Sequence, residues 1–390
     1  MQNKLTPFEI GIGVACMVML GVGVFERNVL TCGSAGACLC LIISRIFERT
    51  QSGKGDFAAL DNDRVQPVKR KLDPRQRQAY EAAKENAPQL IRDFLQHGRE
   101  AILLRTEIIG NLNEQQVDQL VDVVQEDMSL VPAGKVVLKT NELGSDCNNN
   151  ITTVEPLLID RFAVTNSQFA EFVTEGGYTE KELWGDDVVD AAVAFVDETG
   201  TPGPRFWRDG TFAAGKADNP VVGICWYEAR AYARWIGKRL PSNAEWVKTA
   251  AWPTAVAADS VRQRNYPWGE KFEPGHSNVR REGIGHTVPV DDFANGDTVN
   301  GVRQLSGNVW EWLDGELTFS GSGVDSSTPL ALKSLRGGSF DTYLETQASS
   351  DFESGDDVMA RRHNVGFRCA LTMSDLAESA QEKLLAMLEA

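Results

Sequence analysis

The chain has 390 residues, enough for more than one folded unit and a sizeable core. Its 39 Lys and Arg against 55 Asp and Glu leave a net charge of −16, which excludes nucleic-acid binding by the bulk of the protein because phosphates need a positive surface. Seven cysteines (Cys16, Cys32, Cys38, Cys40, Cys147, Cys225 and Cys369) form neither a disulfide framework nor a CxxC zinc pattern, and the four histidines have no metal-ligand spacing.

Residues 8–25 are apolar apart from Glu9, and residues 29–47 are apolar until Ser44 and Arg45. Each run approaches the roughly 20 residues that a bilayer-spanning helix needs. Only Glu26, Arg27 and Asn28 separate them, so residues 1–50 are expected to form a transmembrane helical hairpin. Gly11, Gly13, Gly21, Gly23, Gly33 and Gly36 let two such helices approach closely. Lys4 precedes the first run, and Arg49, Lys54, Arg64, Lys69, Arg70 and Lys71 follow the second. The positive-inside rule then gives a two-pass membrane protein with both termini and the globular domain on the cytoplasmic side.

Residues 51–127 read as a linker followed by a helical spacer. Residues 51–72 lack periodicity. Asp73-Pro74 is a helix-start pair, and Ala79, Ala83, Ala87, Ile91, Phe94 and Leu95 recur at helical spacing. A further helix is expected after Asn113, with Val117, Leu120, Val121 and Val124 on one face.

From Met128 the pattern changes to short apolar runs broken by Gly, Asn and Pro. Residues 158–173 predict a strand entering a helix, with Thr165 or Asn166 as N-cap and Phe169, Phe172 and Val173 on the apolar face. A second helix carries Ala229, Tyr232, Ala233 and Ile236 on one face and stops at Gly237. Ser242 and Glu245 fit the capping box of a third. The segment 128–372 is therefore one domain, followed by a C-terminal helix within 373–390, capped by Ser374 and striped with Leu376, Ala380, Leu384 and Leu388.

Within that domain, Gly307-Asn308-Val309-Trp310-Glu311-Trp312 is the most unusual stretch. Two tryptophans flank one glutamate, which is costly to bury unless paired or bound to a cation. The residues admit two readings, a core strand with a satisfied acid or a tight loop whose oxygens hold a hard metal.

Seven motifs occur in order: Asn219-Pro220-Val221-Val222 with Trp226-Tyr227, Gly237-Lys238-Arg239-Leu240-Pro241, Glu245-Trp246, Tyr266-Pro267-Trp268-Gly269, the Gly307–Trp312 stretch, Arg336-Gly337-Gly338-Ser339-Phe340, and Gly366-Phe367-Arg368. In this the domain resembles the formylglycine-generating enzyme (sulfatase-modifying factor) family. The resemblance implies an α+β fold of irregular, C-type-lectin-like build. Oxidases of that family hold copper with two cysteines that follow the Arg-Gly-Gly-Ser motif. By residue counting, Thr342 and Gln347 stand at those positions here, and neither supplies the soft thiolate that Cu(I) requires. No copper is expected. A second enzymatic branch, the sulfoxide synthases, uses iron on a histidine-rich helical domain, whereas the helical segment here offers only His97.

The family also binds structural Ca²⁺ around the Gly-Asn-x-Trp-Glu-Trp motif. Asn308 and Glu311 match it, Gln304 and Ser306 add oxygens, and all four suit a hard cation. A second family site would involve Asn278 and Val279, but no acid stands in the Gly283-Ile284-Gly285-His286 stretch. The resulting expectation is a membrane-anchored, non-catalytic binding or scaffold protein with structural Ca²⁺ and protein partners. Self-association is expected through the hairpin, the spacer or the C-terminal helix. The alternatives are an oxidoreductase with an atypical centre and a ligand-display protein diversified over residues 341–357.

Overall fold

The computed structural model describes residues 99–386, without 106–108, 110–111, 140–148, 187, 190, 253, 258–259 and 318–331. The expected membrane hairpin, the linker and the first spacer helix lie outside the described residues. No helix among the described residues is long and apolar enough to cross a membrane.

Helix α1 (Glu100–Leu103) is a single turn, and α2 (Glu114–Asp127) is the long helix expected after Asn113. The Asn113 side chain accepts from Gln116 N, while Gln116 Oε1 accepts from Asn113 N, which satisfies two end donors reciprocally. Val117, Leu120, Val121 and Val124 are all buried, as their spacing predicts. They pack against Met128, Leu158 and Leu371, so α2 is part of the domain and not a spacer ahead of it. The boundary expected at Met128 moves back accordingly. The cause is the helix's own apolar stripe, which finds its cover inside the domain.

Strands β1 (Met128–Val131), β2 (Gly134–Lys139), β3 (Asn149–Val154) and β4 (Leu157–Asp160) follow. Helix α3 (Asn166–Thr174) starts at Thr165, whose capping box with Gln168 sets the entry of the chain. Helix α4 (Trp226–Trp235) ends before Gly237, which takes φ 77°, the left-handed geometry that a helix stop requires. Helix α5 (Asn243–Ala250) is capped by Ser242 and Glu245 as expected. Then come β5 (Ala255–Ala257), β6 (Ser260–Arg262), β7 (Trp310–Leu317), β8 (Leu332–Arg336), β9 (Ser354–Asp357), β10 (Val365–Gly366), β11 (Ala370–Thr372) and helix α6 (Glu378–Ala386).

The strands form small sheets ordered β1-β4-β11 and β10-β7-β8-β9, and the pairs β2-β3 and β5-β6. Every residue of the central strand β4, Leu-Leu-Ile-Asp, is buried. The mixture of short sheets, helices and long loops is an α+β architecture of irregular build. An aromatic core joins α3 to α4: Phe169 stacks on Tyr232 with centroids 5.3 Å apart and meets Phe172, Trp207 and Phe367 edge-on. Such pairs each add about 0.5–1.5 kcal/mol beyond the area they bury. The same cluster takes in Trp310 and Trp312 of β7.

At the C-terminus, Ser374 lies in a 3₁₀ turn over Met373–Asp375, so it does not cap the helix, which begins at Glu378. Leu376, Ala380 and Leu384 are buried in the cluster that contains the α2 face, and Lys383 pairs with Asp118. These three members of the stripe are consumed within the chain, so they offer no surface for the self-association expected of this helix.

Candidate binding surface beside the Trp-Glu-Trp strand

Glu311 lies on β7, flanked by Trp310 and Trp312. Its side chain is 1 % exposed and faces the guanidinium of Arg368, which is 0 % exposed. Oε1 accepts from Arg368 Nη2 at 2.7 Å and from Nε at 3.0 Å, while Oε2 accepts from Nε at 2.9 Å and from Trp246 Nε1 at 2.7 Å. Arg368 spends its remaining donors on the carbonyls of Asp160, Arg161 and Arg303. The acid is thus satisfied within the protein, as the core-strand reading of this stretch has it. One ion pair ties β7 to the carbonyls around β4 and to α5.

The loop before β7 is a second, separate network. Asn308 has φ 65° and Gly307 φ 82°, and a Cβ on Gly307 would lie 2.5 Å from the carbonyl oxygen of Asn278. Glycine is therefore required at that turn, and asparagine is among the few side chains that tolerate the next position. Asn308 Oδ1 accepts from Asn278 Nδ2 and Val288 N, and its Nδ2 donates to Val288 O and Gln304 Oε1. Both donors and both lone pairs of the amide are in use. Gln304 Nε2 donates to the carbonyls of Pro289 and Asp292. Ser306 Oγ points elsewhere and donates to Ala348 O at 2.9 Å.

The four expected Ca²⁺ ligands therefore do not form one set. Gln304 and Asn308 bond each other, Ser306 bonds a different loop, and the one carboxylate is neutralised by Arg368. Ca²⁺ needs six to eight oxygens with charge among them, and these residues do not fit it. At the second family position, Asn278 Oδ1 is buried without a hydrogen-bond partner. One neutral oxygen is not a coordination shell. Among the described residues no group of three or more His, Cys, Asp or Glu is placed to hold a metal ion.

The Arg-Gly-Gly-Ser motif leads into the adjoining loop. Gly337 and Gly338 take φ 95° and 74°, bringing the chain close to Trp246 and Ala348. Thr342 Oγ1 accepts from Ser339 N at 2.8 Å, and Thr342 O accepts from Arg280 N at 3.2 Å. Thr342 and Gln347 are both 6 % exposed. Asp341 receives Ser339 Oγ at 2.6 Å and Asn364 Nδ2 at 3.0 and 3.1 Å, and lies 3.4 Å from His363 Nε2. Burial by itself would raise the Asp341 carboxyl. The bonds from His363, Ser339 and Asn364 outweigh it and hold the group below its ordinary value. At the tip, Tyr343 is 77 % exposed and Leu344 41 %. Beyond it, Glu345 pairs with Arg281, and Glu345 O accepts from Tyr266 Oη. The loop is a firm polar base carrying an apolar tip.

A thiolate pair for copper is not built here. Thr342 serves as an internal cap of the turn, and Gln347 offers an amide. Cys225 and Cys369 are buried in the aromatic core, where desolvation pushes both thiols well above their usual range. They are protonated at neutral pH, and only a thiolate is an effective ligand. Sequence reasoning missed Arg368 as the partner of Glu311. The available signal was a single arginine inside the apolar run Val365 to Leu371, where a charge is costly unless paired.

The family model described as "Sulfatase-modifying factor enzyme 1-like domain" matches residues 114–373. The chain is 31% identical over 287 residues to the inactive C-alpha-formylglycine-generating enzyme 2 of Bos taurus, covering 65% of this chain and 88% of that protein. It is 31% identical over 269 residues to the formylglycine-generating enzyme of Streptomyces coelicolor, covering 59% and 82%. It is 34% identical over 176 residues to the hercynine oxygenase of Mycolicibacterium thermoresistibile, covering 43% of this chain. The chain spans only 37%, 40% and 45% of the three hercynine oxygenases it matches. The matched segment opens at Glu114, the first residue of α2, which agrees with that helix packing inside the domain. With two thirds of its length under one family model, the chain belongs to the sulfatase-modifying factor enzyme 1-like family, alongside the formylglycine-generating enzymes.

Proposed function

We propose that this chain is a membrane-anchored binding or scaffold protein that presents a formylglycine-generating-enzyme-like domain without copper chemistry. One observation carries the reading: at the positions of the family's cysteine pair stand Thr342 and Gln347, and Thr342 caps the turn that holds the loop. Oxidation of a substrate cysteine by bound Cu(I) needs soft thiolate ligands, and oxygen and amide donors do not replace them. Likeness to a protein named as an inactive formylglycine-generating enzyme supports the same conclusion. The exposed Tyr343 and Leu344 support a binding role, because aromatic and apolar side chains on a rigid base are the common anchors of protein interfaces. The two apolar runs within residues 8–47 supply the anchor.

Full-length protein in detergent, supplied with Cu(I), air and a cysteine-containing peptide, is expected to consume no more oxygen than the copper-free control and to form no peptide aldehyde. Copper-dependent aldehyde formation would replace this reading with the oxidoreductase one. Deletion of residues 1–47 is expected to move the protein from the membrane fraction to the supernatant. Sedimentation with membranes unchanged by the deletion would remove the anchor.

A further inference from the structure

Asn-Gly occurs twice in the loop ahead of β7, at Asn295-Gly296 and at Asn300-Gly301. Both glycines close a turn with the same bond: Gly296 N donates to Phe293 O at 2.9 Å, and Gly301 N donates to Thr298 O at 2.9 Å. The asparagine stands just before the closing glycine in each turn, so the dipeptide and its local backbone do not distinguish the two sites.

Their surroundings do. Asn300 Oδ1 accepts from Thr298 Oγ1 at 2.7 Å, and Asn300 Nδ2 donates to Leu130 O at 3.4 Å. The Asn300 carbonyl accepts from Ser129 Oγ and from Arg161 Nη1, both at 2.8 Å. Thr298 also braces its turn, since Thr298 N donates to Val302 O and Val302 N donates to Thr298 Oγ1. Asn295, by contrast, is exposed, and among the described residues no hydrogen bond holds its side chain. Its turn starts at Phe293 with φ 61°, a left-handed conformation that a bulky residue adopts only at a cost. Opening that turn relieves Phe293 and frees the Gly296 N–H, whereas opening the other breaks the bonds of Thr298 and Asn300.

We propose that Asn295 is a modification site that converts to aspartate and isoaspartate by reaction with its own backbone and water, while Asn300 is protected. The Gly296 nitrogen attacks Asn295 Cγ, the new N–Cγ bond closes a succinimide ring, and the side-chain nitrogen leaves as ammonia with the displaced proton. Glycine suits the step because it has no Cβ to shield the attacking nitrogen. Water then adds to Cγ, which restores the original backbone as aspartate, or to the main-chain carbonyl carbon, which leaves the chain running through Cγ as isoaspartate. Nothing is oxidised or reduced. The new carboxylate joins Asp291, Asp292 and Asp297 in one stretch, where like charges repel. Isoaspartate also lengthens the backbone beside Gly296, which packs so closely that a Cβ there would lie 1.9 Å from His276 O.

The test ages the full-length protein in detergent at neutral pH and follows both positions by fragment-ion mass spectrometry, which reads the mass gain of amide-to-acid conversion at each. In the folded protein Asn295 is expected to convert roughly tenfold faster than Asn300 or more, and in urea the two are expected to convert at similar rates, because only local structure separates them. Asn295→Gln should abolish the fast conversion, since the longer side chain closes the larger ring poorly. Thr298→Val removes the hydroxyl that holds Asn300 and should raise conversion there, while Thr298→Ser should keep it protected. If Thr298→Val melts early, the folded and urea rates of the wild type decide alone. Equal rates at the two positions in the folded protein, or an intact Asn295 over a period in which urea-unfolded chains convert, overturn the proposal.

Discussion

The stretch 304–312 and the loop 339–347 touch through hydrogen bonds from Phe340 N to Asn308 O, and the turn before the loop receives Gly307 N at Gly337 O. They differ in what their side chains do. In the first, Asn308 and Glu311 are almost wholly buried, and the Asn308 amide and the Glu311 carboxylate are fully engaged by protein groups. In the second, the base is bonded but Tyr343 and Leu344 stand in solvent. One segment thus spends its polar groups on the fold, while its neighbour keeps a bonded base and leaves its tip in solvent. The Trp-Glu-Trp strand is of the first kind, and the loop 339–347 is of the second.

The comparison breaks first at Glu311. Glu311→Ala leaves the Arg368 guanidinium buried and unpaired, a change that costs about 3–5 kcal/mol. Urea denaturation monitored by tryptophan fluorescence should show that loss, and a cost below about 1 kcal/mol would mean that the pair is not the anchor described. Asn308→Ala comes next. It abandons the Val288 and Asn278 partners and places alanine at φ 65°, for a loss of about 2–3 kcal/mol in the same assay. Asn308→Gly, which relieves the backbone and keeps the lost bonds lost, should fall between the variant and wild type.

Asp341 sharpens the contrast through pH. Its carboxyl is held below the ordinary value, so the stability it contributes is present above the unfolded-state value of about 3.9 and is lost as pH falls through the folded-state value. The gap between wild type and Asp341→Asn in urea midpoint should be widest near neutrality and close in acid. A gap that widens as pH falls would reverse the sign. Tyr343→Ala should change stability least, within about 0.5 kcal/mol, because the ring buries little. A larger loss would place the tip in the packed structure rather than on the offered surface.

Much of this was legible where local rules act alone. The capping pair Ser242 with Glu245 needs only positions three apart and is formed, and of the two caps expected for α3 it is Thr165 that takes the role, closing a box with Gln168. The apolar face of α2 was legible too, but its cover was not, because Leu158 and Leu371 are distant in sequence. The same limit hid the partner of Glu311, which lies 57 residues away at Arg368. From the motif alone a buried acid reads equally as a metal ligand or as half of an ion pair. Ser374 shows a smaller failure. A capping residue before an apolar stripe looked sufficient, yet the chain first makes a 3₁₀ turn that seats Met373 and Leu376 in the core.

The central claim, that the oxygens of the strand and the loop serve the fold and hold no metal, is tested most directly by the metal content of the full-length protein purified without chelator. The account predicts no stoichiometric copper or calcium after dialysis, and the same melting temperature with and without chelator. One equivalent of either metal per chain, with melting lowered when it is stripped, would contradict it.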